Sequence, residues 1–335
     1  MLEEARYAPE AIARLLTADE ARYAKLGSDL RGAPPQSLLT IARGSSDHAA
    51  HYMAYLVMAR LGRLVTSLPM SLVTLYQSRL QREGLLSLAF SQSGQSEDLV
   101  VPTRFFRAGG ARTVAFVNDT ASPLADAAQW VFDLHAGPEE SVAATKSYIA
   151  QLVAGARLVA TWQDDRPLRE ALDTLPAALR RAVRQHWQRG VDALIDSDRL
   201  FVVSRGLGLT VAMEAALKFK EVCGIQAEAF SGAELRHGPM ALVDQGYPLL
   251  VFAPRGPAQP GLLALTEEMR QRGARVLLAA PPETTPDLPL ATSDAEDLDP
   301  IVAIQSFYPM VEALARARGR DPDAPPHLAK VTVTR

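Results

Sequence analysis

Leu39-Thr40-Ile41-Ala42-Arg43-Gly44 and Phe201-Val202-Val203-Ser204-Arg205-Gly206 are one pattern written twice, a short apolar run ending in Arg-Gly ahead of a helical stretch. Gly110-Ala111-Arg112-Thr113-Val114 returns in the same way as Gly273-Ala274-Arg275-Val276-Leu277. Gly206 stands 162 positions after Gly44, and Gly273 stands 163 after Gly110. Either match alone is an ordinary coincidence of strand and glycine. Agreement in spacing to one residue identifies a duplicated lobe.

Each copy alternates short apolar strands with helical segments, which predicts an α/β fold of two lobes, each a parallel sheet covered by helices on both faces. Strands are expected at 38–43, 86–90, 112–117 and 131–134 in the first lobe, and at 199–204, 248–253 and 275–280 in the second. Val142 to Trp162 and Pro167 to Ile195 read as long helices, broken at Asp164-Asp165-Arg166-Pro167, where proline interrupts the backbone hydrogen bonding. The expected boundary lies there: residues 1–165 form a leader helix and the first lobe, and 166–335 a connecting helix, the second lobe and a tail. The Pro-rich run from Pro281 to Pro289 reads as a surface loop.

In the first lobe the apolar run Leu85 to Phe90 passes directly into Ser91-Gln92-Ser93-Gly94-Gln95-Ser96 and then into a helix from Glu97 to Arg107. Hydroxyls, a carboxamide and the unpaired N–H groups of a helix start converge there, which suits a phosphate. One serine would satisfy an ordinary N-cap. An N-cap does not call for Ser91, Gln92, Ser93 and Ser96 together. The chain has no Gly-x-x-x-x-Gly-Lys-Ser/Thr run, so a singly phosphorylated small molecule is the expected guest rather than a nucleoside triphosphate. The matching turn of the second lobe, Pro254-Arg255-Gly256-Pro257, lacks hydroxyls, and its prolines remove N–H donors. Phosphate binding is expected in the first lobe alone.

Composition narrows the partners. With 335 residues, 48% of them hydrophobic, the chain can bury two sizeable cores. A net charge of −3 without a basic run argues against nucleic acid or an anionic membrane as the partner. The single cysteine, Cys223, excludes an intrachain disulfide framework and fits a reducing compartment. The charged start Met1-Leu2-Glu3-Glu4-Ala5-Arg6 does not resemble a secretory signal, and no apolar run approaches membrane-spanning length. A cytoplasmic location is expected.

After Gly206 the second lobe carries Glu214, Lys218 and Glu221, a spacing of i, i+4 and i+7 that puts all three on one helix face. On an average helix this would be a solvated charged stripe. Here the helix begins at the carboxyl end of a sheet strand, where ligands of open α/β sheets bind, and a carboxylate one turn from a lysine can be tuned for proton transfer. Shortly after, Gly232-Ala233-Glu234-Leu235-Arg236-His237-Gly238-Pro239 sets His237 between a helical turn and a Gly-Pro bend, placed for acid–base work near neutral pH. His48 and His51 have the spacing of a metal pair, but no third and fourth ligand accompanies them at sensible spacing. Neither a metal nor another cofactor is expected. The tail from Pro326 to Arg335 is apolar enough to pack. Its Lys330 reads either as an exposed charge or as a desolvated amine able to form an imine.

Taken together, Ser91-Gln92-Ser93-Gly94, Val142-Ala143-Ala144-Thr145-Lys146, the run Glu214 to Glu221, Glu234-Leu235-Arg236-His237-Gly238-Pro239 and Leu328-Ala329-Lys330 resemble the sugar isomerase (SIS) family. The likeness is to the isomerase half of glucosamine-6-phosphate synthase and to stand-alone glucosamine-6-phosphate deaminases. It covers nearly the whole chain and implies two flavodoxin-like three-layer lobes. It further implies that Ser46, Ser91, Gln92, Ser93 and Ser96 hold the sugar phosphate, while Gly44, Ser45, Val142, Ala143 and Thr145 line the sugar. Glu221 would move a proton between C1 and C2 with Lys218 and Glu214 beside it. His237 would assist ring opening, reaching the partner's site in a homodimer, and Lys330 would match the imine-forming lysine.

Two departures from the synthase pattern matter. The synthase draws nitrogen from glutamine through a domain with an N-terminal cysteine, whereas this chain begins Met1-Leu2 and carries only Cys223. Gln95 stands where the synthase usually has glutamate. The expectation is therefore a glucosamine-6-phosphate deaminase, with an isomerase of another phosphosugar or a non-catalytic sugar-phosphate regulator as alternatives.

Overall fold

The computed structural model describes residues 1–330. The apolar runs of the first copy become β1 (Ser37–Ile41), β2 (Val65–Ser67), β3 (Leu85–Ser91), β4 (Arg112–Val117) and β5 (Trp130–Asp133). They pair parallel in the order β2-β1-β3-β4-β5. The second copy supplies β6 (Arg199–Ser204), β7 (Gln226–Ser231), β8 (Pro248–Phe252), β9 (Arg275–Ala280) and β10 (Leu288–Pro289), in the order β10-β9-β8-β6-β7. Taken from its other end, that is again 2-1-3-4-5, the flavodoxin-like order. The internal repeat is thus a repeat of topology.

The chain forms two compact units. One holds Glu10–Glu139 and Lys146–Asp173 with Ala329 and Lys330, and contains the first sheet. The other holds Met1–Pro9, Glu140–Thr145 and Thr174–Leu328, and contains the second.

In the first unit, successive strand residues point to opposite faces, so each strand feeds two cores. Leu39, Ile41, Ala89, Ala115 and Val117 pack with Leu99, Val100 and Phe106 of the helix Glu97–Ala108 and with Leu124. On the opposite face Phe90 and Phe116 stack at 4.8 Å, Phe116 and Phe132 at 5.6 Å, and Tyr23 of the helix Glu20–Gly32 lies 4.2 Å from Phe132. The helices Ser45–Leu61 and Lys146–Gln163 pack together, and Gly155 of the second admits Met53 of the first. A Cβ on Gly155 would lie 3.1 Å from the Met53 Cβ.

The second unit repeats the plan. Phe201, Val203, Leu249, Val251, Val276 and Leu278 pack with Leu262, Leu265 and Met269 of the helix Gln259–Gln271. From the other face Phe252 meets Phe307 of the helix Asp299–Ala317 at 6.2 Å, and Phe307 meets Phe219 at 5.2 Å.

All seven expected strands are present, within two residues at each end. Three strands were missed, and each is a sheet edge. β2 has three residues, β10 has two, one of them a proline of the kind edges tolerate, and β7 reads Gln-Ala-Glu-Ala-Phe-Ser, too polar to signal burial. The Pro281–Pro289 segment is accordingly not all loop: Leu288 is buried and pairs with Ala279. The helix expected from Pro167 to Ile195 is two, Arg166–Ala182 and Gln188–Leu194. Trp187 sits buried at the break and donates from Nε1 to the Pro289 carbonyl at 2.9 Å. Val142 to Thr145 is not helical, since the next helix starts at Lys146. Of the tail expected to pack, residues 331–335 lie outside the described residues. No helix among the described residues is long and apolar enough to cross a membrane.

Candidate active site

The first sheet reverses its winding between β1 and β3, and at such a point the loops leaving the two strands diverge and open a crevice at their carboxyl ends. Both serine clusters issue from these strands. Gly44 follows β1 with φ +55° and Ser45 opens the next helix, where Ser46 Oγ accepts a hydrogen bond from Gln151 Nε2 at 3.0 Å. At the end of β3, Ser91 Oγ accepts from the Gly94 N–H at 2.9 Å and Ser93 Oγ from the Gln95 N–H at 3.4 Å. Each of these hydroxyls keeps its own O–H as a donor. The Gln92 carbonyl is tied to the Asn118 N–H at 3.2 Å, which fixes the turn from its other side.

Gly94 is required by the turn. Its φ is +65°, and a Cβ there would fall 2.1 Å from Ser122 Oγ. Ser96 is the N-cap of the helix Glu97–Ala108 but makes no side-chain capping bond, so its hydroxyl is not committed to the helix. Asp98 in the first turn would oppose an anion. Arg43 answers it at 3.0 Å.

In the second unit the strand order reverses between β6 and β8, and the helix Leu209–Lys218 leaves from the end of β6. It continues without a break into a π-turn, Phe219–Cys223, closed by Gly224 at φ +62°. Such turns widen the helix locally and recur at functional positions. Lys218 Nζ lies 3.3 Å from Glu214 Oε1 and 2.5 Å from Glu221 Oε2. The side chains of Lys218 and Glu214 have no exposed surface, whereas that of Glu221 keeps 21%. The solvated-stripe reading is therefore wrong. Burial by itself would strip the lysine of its proton, but Glu214 and then Glu221 outweigh it and hold the ammonium above the usual lysine range. The result is a fixed cation between a sealed carboxylate and an accessible one.

His237 closes a 3-10 turn, Glu234–His237, ahead of Gly238 at φ 151°, and is exposed, with no hydrogen-bond or ion-pair partner among the described residues. Ala143 and Thr145 are buried and Val142 is half-buried, its N–H donating to the Asp323 carbonyl at 3.1 Å. After β8, Arg255 is committed within its own unit: Nε meets Asp299 Oδ2 at 2.7 Å and Nη2 meets Asp299 Oδ1 at 2.9 Å. In the second copy the turn after β8 thus presents an ion-paired arginine where the first presents serine hydroxyls.

Lys330 is half-buried, and its ammonium donates to Glu139 Oε2 at 2.9 Å. Ser147 fixes that carboxylate, donating from Oγ to Oε2 at 2.6 Å and from its N–H to Oε1 at 3.1 Å. The Glu139 side chain is fully buried. Sequence reasoning missed it. Glu139 and the exposed Glu140 stand side by side in Gly-Pro-Glu-Glu, and no local pattern separates the one that meets Lys330 from the one that meets water.

A profile of the SIS domain family matches residues 33–160 and 193–281. The chain belongs to the SIS domain family. The first matched segment contains β1 to β5 and the second β6 to β9, so each lobe carries one SIS segment. Among similar proteins, glutamine–fructose-6-phosphate aminotransferase (isomerizing) of Methanothermobacter thermautotrophicus is 34% identical over 352 residues, covering 99% of this chain and 57% of that protein. This SIS chain spans about half the length of the curated relatives it matches. A crystal structure from Silicibacter pomeroyi DSS-3, provisionally named a phosphosugar isomerase, is 42% identical with a TM-score of 0.91 and covers 96% of this chain and 99% of that one. Glucosamine-6-phosphate deaminase of Thermotoga maritima shares the fold, with a TM-score of 0.75 at 22% identity, covering 97% of this chain and all of that one. The chain stands among the phosphosugar isomerases of the SIS family.

Proposed function

We propose that this SIS protein is a glucosamine-6-phosphate deaminase, which converts glucosamine 6-phosphate and water to fructose 6-phosphate and ammonia. The observation that carries the reading is the buried Lys218 ammonium between Glu214 and Glu221, with only Glu221 open to a substrate. A carboxylate backed by a fixed cation can take a proton from carbon and return it to the next carbon without leaving the site.

In this reading Ser46, Ser91, Gln92, Ser93 and Ser96 hold the phosphate, and Gly44, Ser45, Val142, Ala143 and Thr145 bound the sugar. His237 moves the ring proton that opens the pyranose. Glu221 removes the C2 proton of the open aldehyde and delivers it to C1, leaving a ketimine at C2. Lys330, kept at hand by Glu139, adds as the free amine to that carbon, the original C–N bond breaks and ammonia leaves, so a ketimine to Lys330 remains. Water then adds to this ketimine, the C–N bond to lysine breaks, and fructose 6-phosphate and the free Lys330 amine are released. The exposed His237 serves the partner's site in a homodimer.

Cys223 is not assigned to glutamine hydrolysis in this reading, because it is buried and its thiol is pushed up to about 12. Such a thiol is no nucleophile near neutral pH.

The test is incubation with glucosamine 6-phosphate while ammonia and fructose 6-phosphate are followed together, with Glu221→Gln as control. Equal appearance of both, lost in the variant, is expected. Binding without ammonia release would transfer the assignment to an isomerase of another phosphosugar or to a sensor.

A further inference from the structure

The first unit holds a cavity of about 760 Å³, walled by the end of the helix Leu2–Thr17, by the helices Glu20–Gly32 and Lys146–Gln163, and by the start of Arg166–Ala182. Its lining contains none of the residues assigned to the sugar phosphate. At its floor lies Arg157, 7% exposed, with its guanidinium carbon 4.2 Å from the centroid of the Tyr23 ring. One nitrogen, Nη1, is used: it donates to the Leu15 and Ala18 carbonyls at 2.6 and 2.7 Å. No carboxylate among the described residues reaches ion-pair distance of this cation. Tyr23 is 2% exposed and lines the same cavity, and its buried hydroxyl has no hydrogen-bond partner among the described residues.

The rim has the complementary imbalance. Arg166 is paired with Glu170 at 2.7 Å and Arg169 with Asp164 at 2.8 Å. Glu20 and Asp173, also in the lining, make no ion pair among the described residues. A buried arginine stays charged, and its planar edge suits a carboxylate. A buried phenol without a partner is a donor held ready. The Glu20 and Asp173 carboxylates are both exposed and attract the Arg157 cation from beyond contact distance, so the cavity has a cation and an unpartnered phenol at its floor and acidic side chains at its rim.

We infer that this cavity binds a small zwitterion of the α-amino acid type, its carboxylate on Arg157 and the Tyr23 hydroxyl, its ammonium facing Glu20 and Asp173. A buried hydroxyl left without a partner, like that of Tyr23, is rare in folded chains, and a ligand of this class would meet it and Arg157 with its carboxylate while its ammonium faces the acidic rim.

Titration calorimetry of the full chain against each of the twenty common L-amino acids tests this. At least one binds with a Kd of about 1 mM or tighter. Tyr23→Phe, which keeps the ring and its packing, weakens that amino acid by about tenfold, the loss of one hydrogen bond to a charged group. The double variant Glu20→Gln, Asp173→Asn weakens it by a similar factor and leaves its deaminated analogue, the plain carboxylate, unchanged. Three results overturn the inference: no amino acid binds, Tyr23→Phe binds it as the parent does, or the plain carboxylate binds as tightly as the amino acid.

Discussion

Lys218 Nζ lies 2.5 Å from Glu221 Oε2 and 3.3 Å from Glu214 Oε1, and Glu221 alone of the three reaches the surface. The buried pair is stable only as a pair, because each ion repays the desolvation of the other. Lys218→Met leaves Glu214 sealed without a counter-charge. Destabilisation of about 3–5 kcal/mol is expected, measured as the urea midpoint at constant m-value. A change within about 0.5 kcal/mol would mean that the lysine is not needed to hold Glu214.

Glu221→Gln keeps the shape of the side chain and removes the base. Turnover of glucosamine 6-phosphate should fall by about 10²-fold or more, while substrate affinity stays close to that of the parent. Steady-state kinetics with ammonia as the readout distinguishes this from a folding defect, which would lower active-site concentration but not the turnover of the folded fraction. Undiminished turnover would remove Glu221 as the proton carrier.

The serine turn is tested at Ser93 and Gly94. Ser93→Ala removes one hydroxyl facing the proposed phosphate, at about 1.5–3 kcal/mol for a hydrogen bond to a charged group, so fructose 6-phosphate should bind at least tenfold more weakly. Gly94→Ala should do more, since φ is +65° and the new methyl meets Ser122 Oγ at 2.1 Å. Calorimetric titration with fructose 6-phosphate reads both. Unchanged affinity in both variants would empty the turn of its assigned role.

Glu139 and Lys330 are joined by a hydrogen bond of 2.9 Å and should act as one unit. Glu139→Gln and Lys330→Met should each slow ammonia release, and the double variant should be no worse than the more impaired single one. A thermodynamic cycle would then give a coupling of about 0.5–3 kcal/mol, the range for residues in contact. Strict additivity would show that the contact has no part in the reaction.

Cys223 offers a pH test. Its thiol is buried, donates to the Val311 carbonyl at 3.5 Å, and is pushed by desolvation up to about 12 from an ordinary 9.0, with Arg318 and Arg320 partly opposing. The folded chain keeps this proton while the unfolded chain releases it above pH 9, so unfolding gains as pH rises between those values. At pH 10.5 the loss is about 2 kcal/mol relative to pH 8. Cys223→Ala should flatten that part of the stability profile, followed by urea unfolding at several pH values. Equal slopes in parent and variant would contradict the burial of the thiol.

The sequence by itself determined the duplication, seven of the ten strands among the described residues, the serine turn at the end of β3, and the placing of Glu214, Lys218 and Glu221 on one face. These are short-range patterns, set by the two-residue period of strands, the 3.6-residue period of helices, and the glycines that turns demand. The tertiary structure decided which charges are sealed. Lys218 reads as a surface lysine until a packed core surrounds it, and Lys330 meets Glu139 across 191 positions of chain, a distance over which no local pattern operates. The same holds for Trp187, which caps a helix break through a carbonyl 102 residues away, and for Arg255, occupied by Asp299. Burial and long-range pairing belong to the folded chain as a whole, because the free energy of a charge depends on its full surroundings and not on its neighbours in sequence.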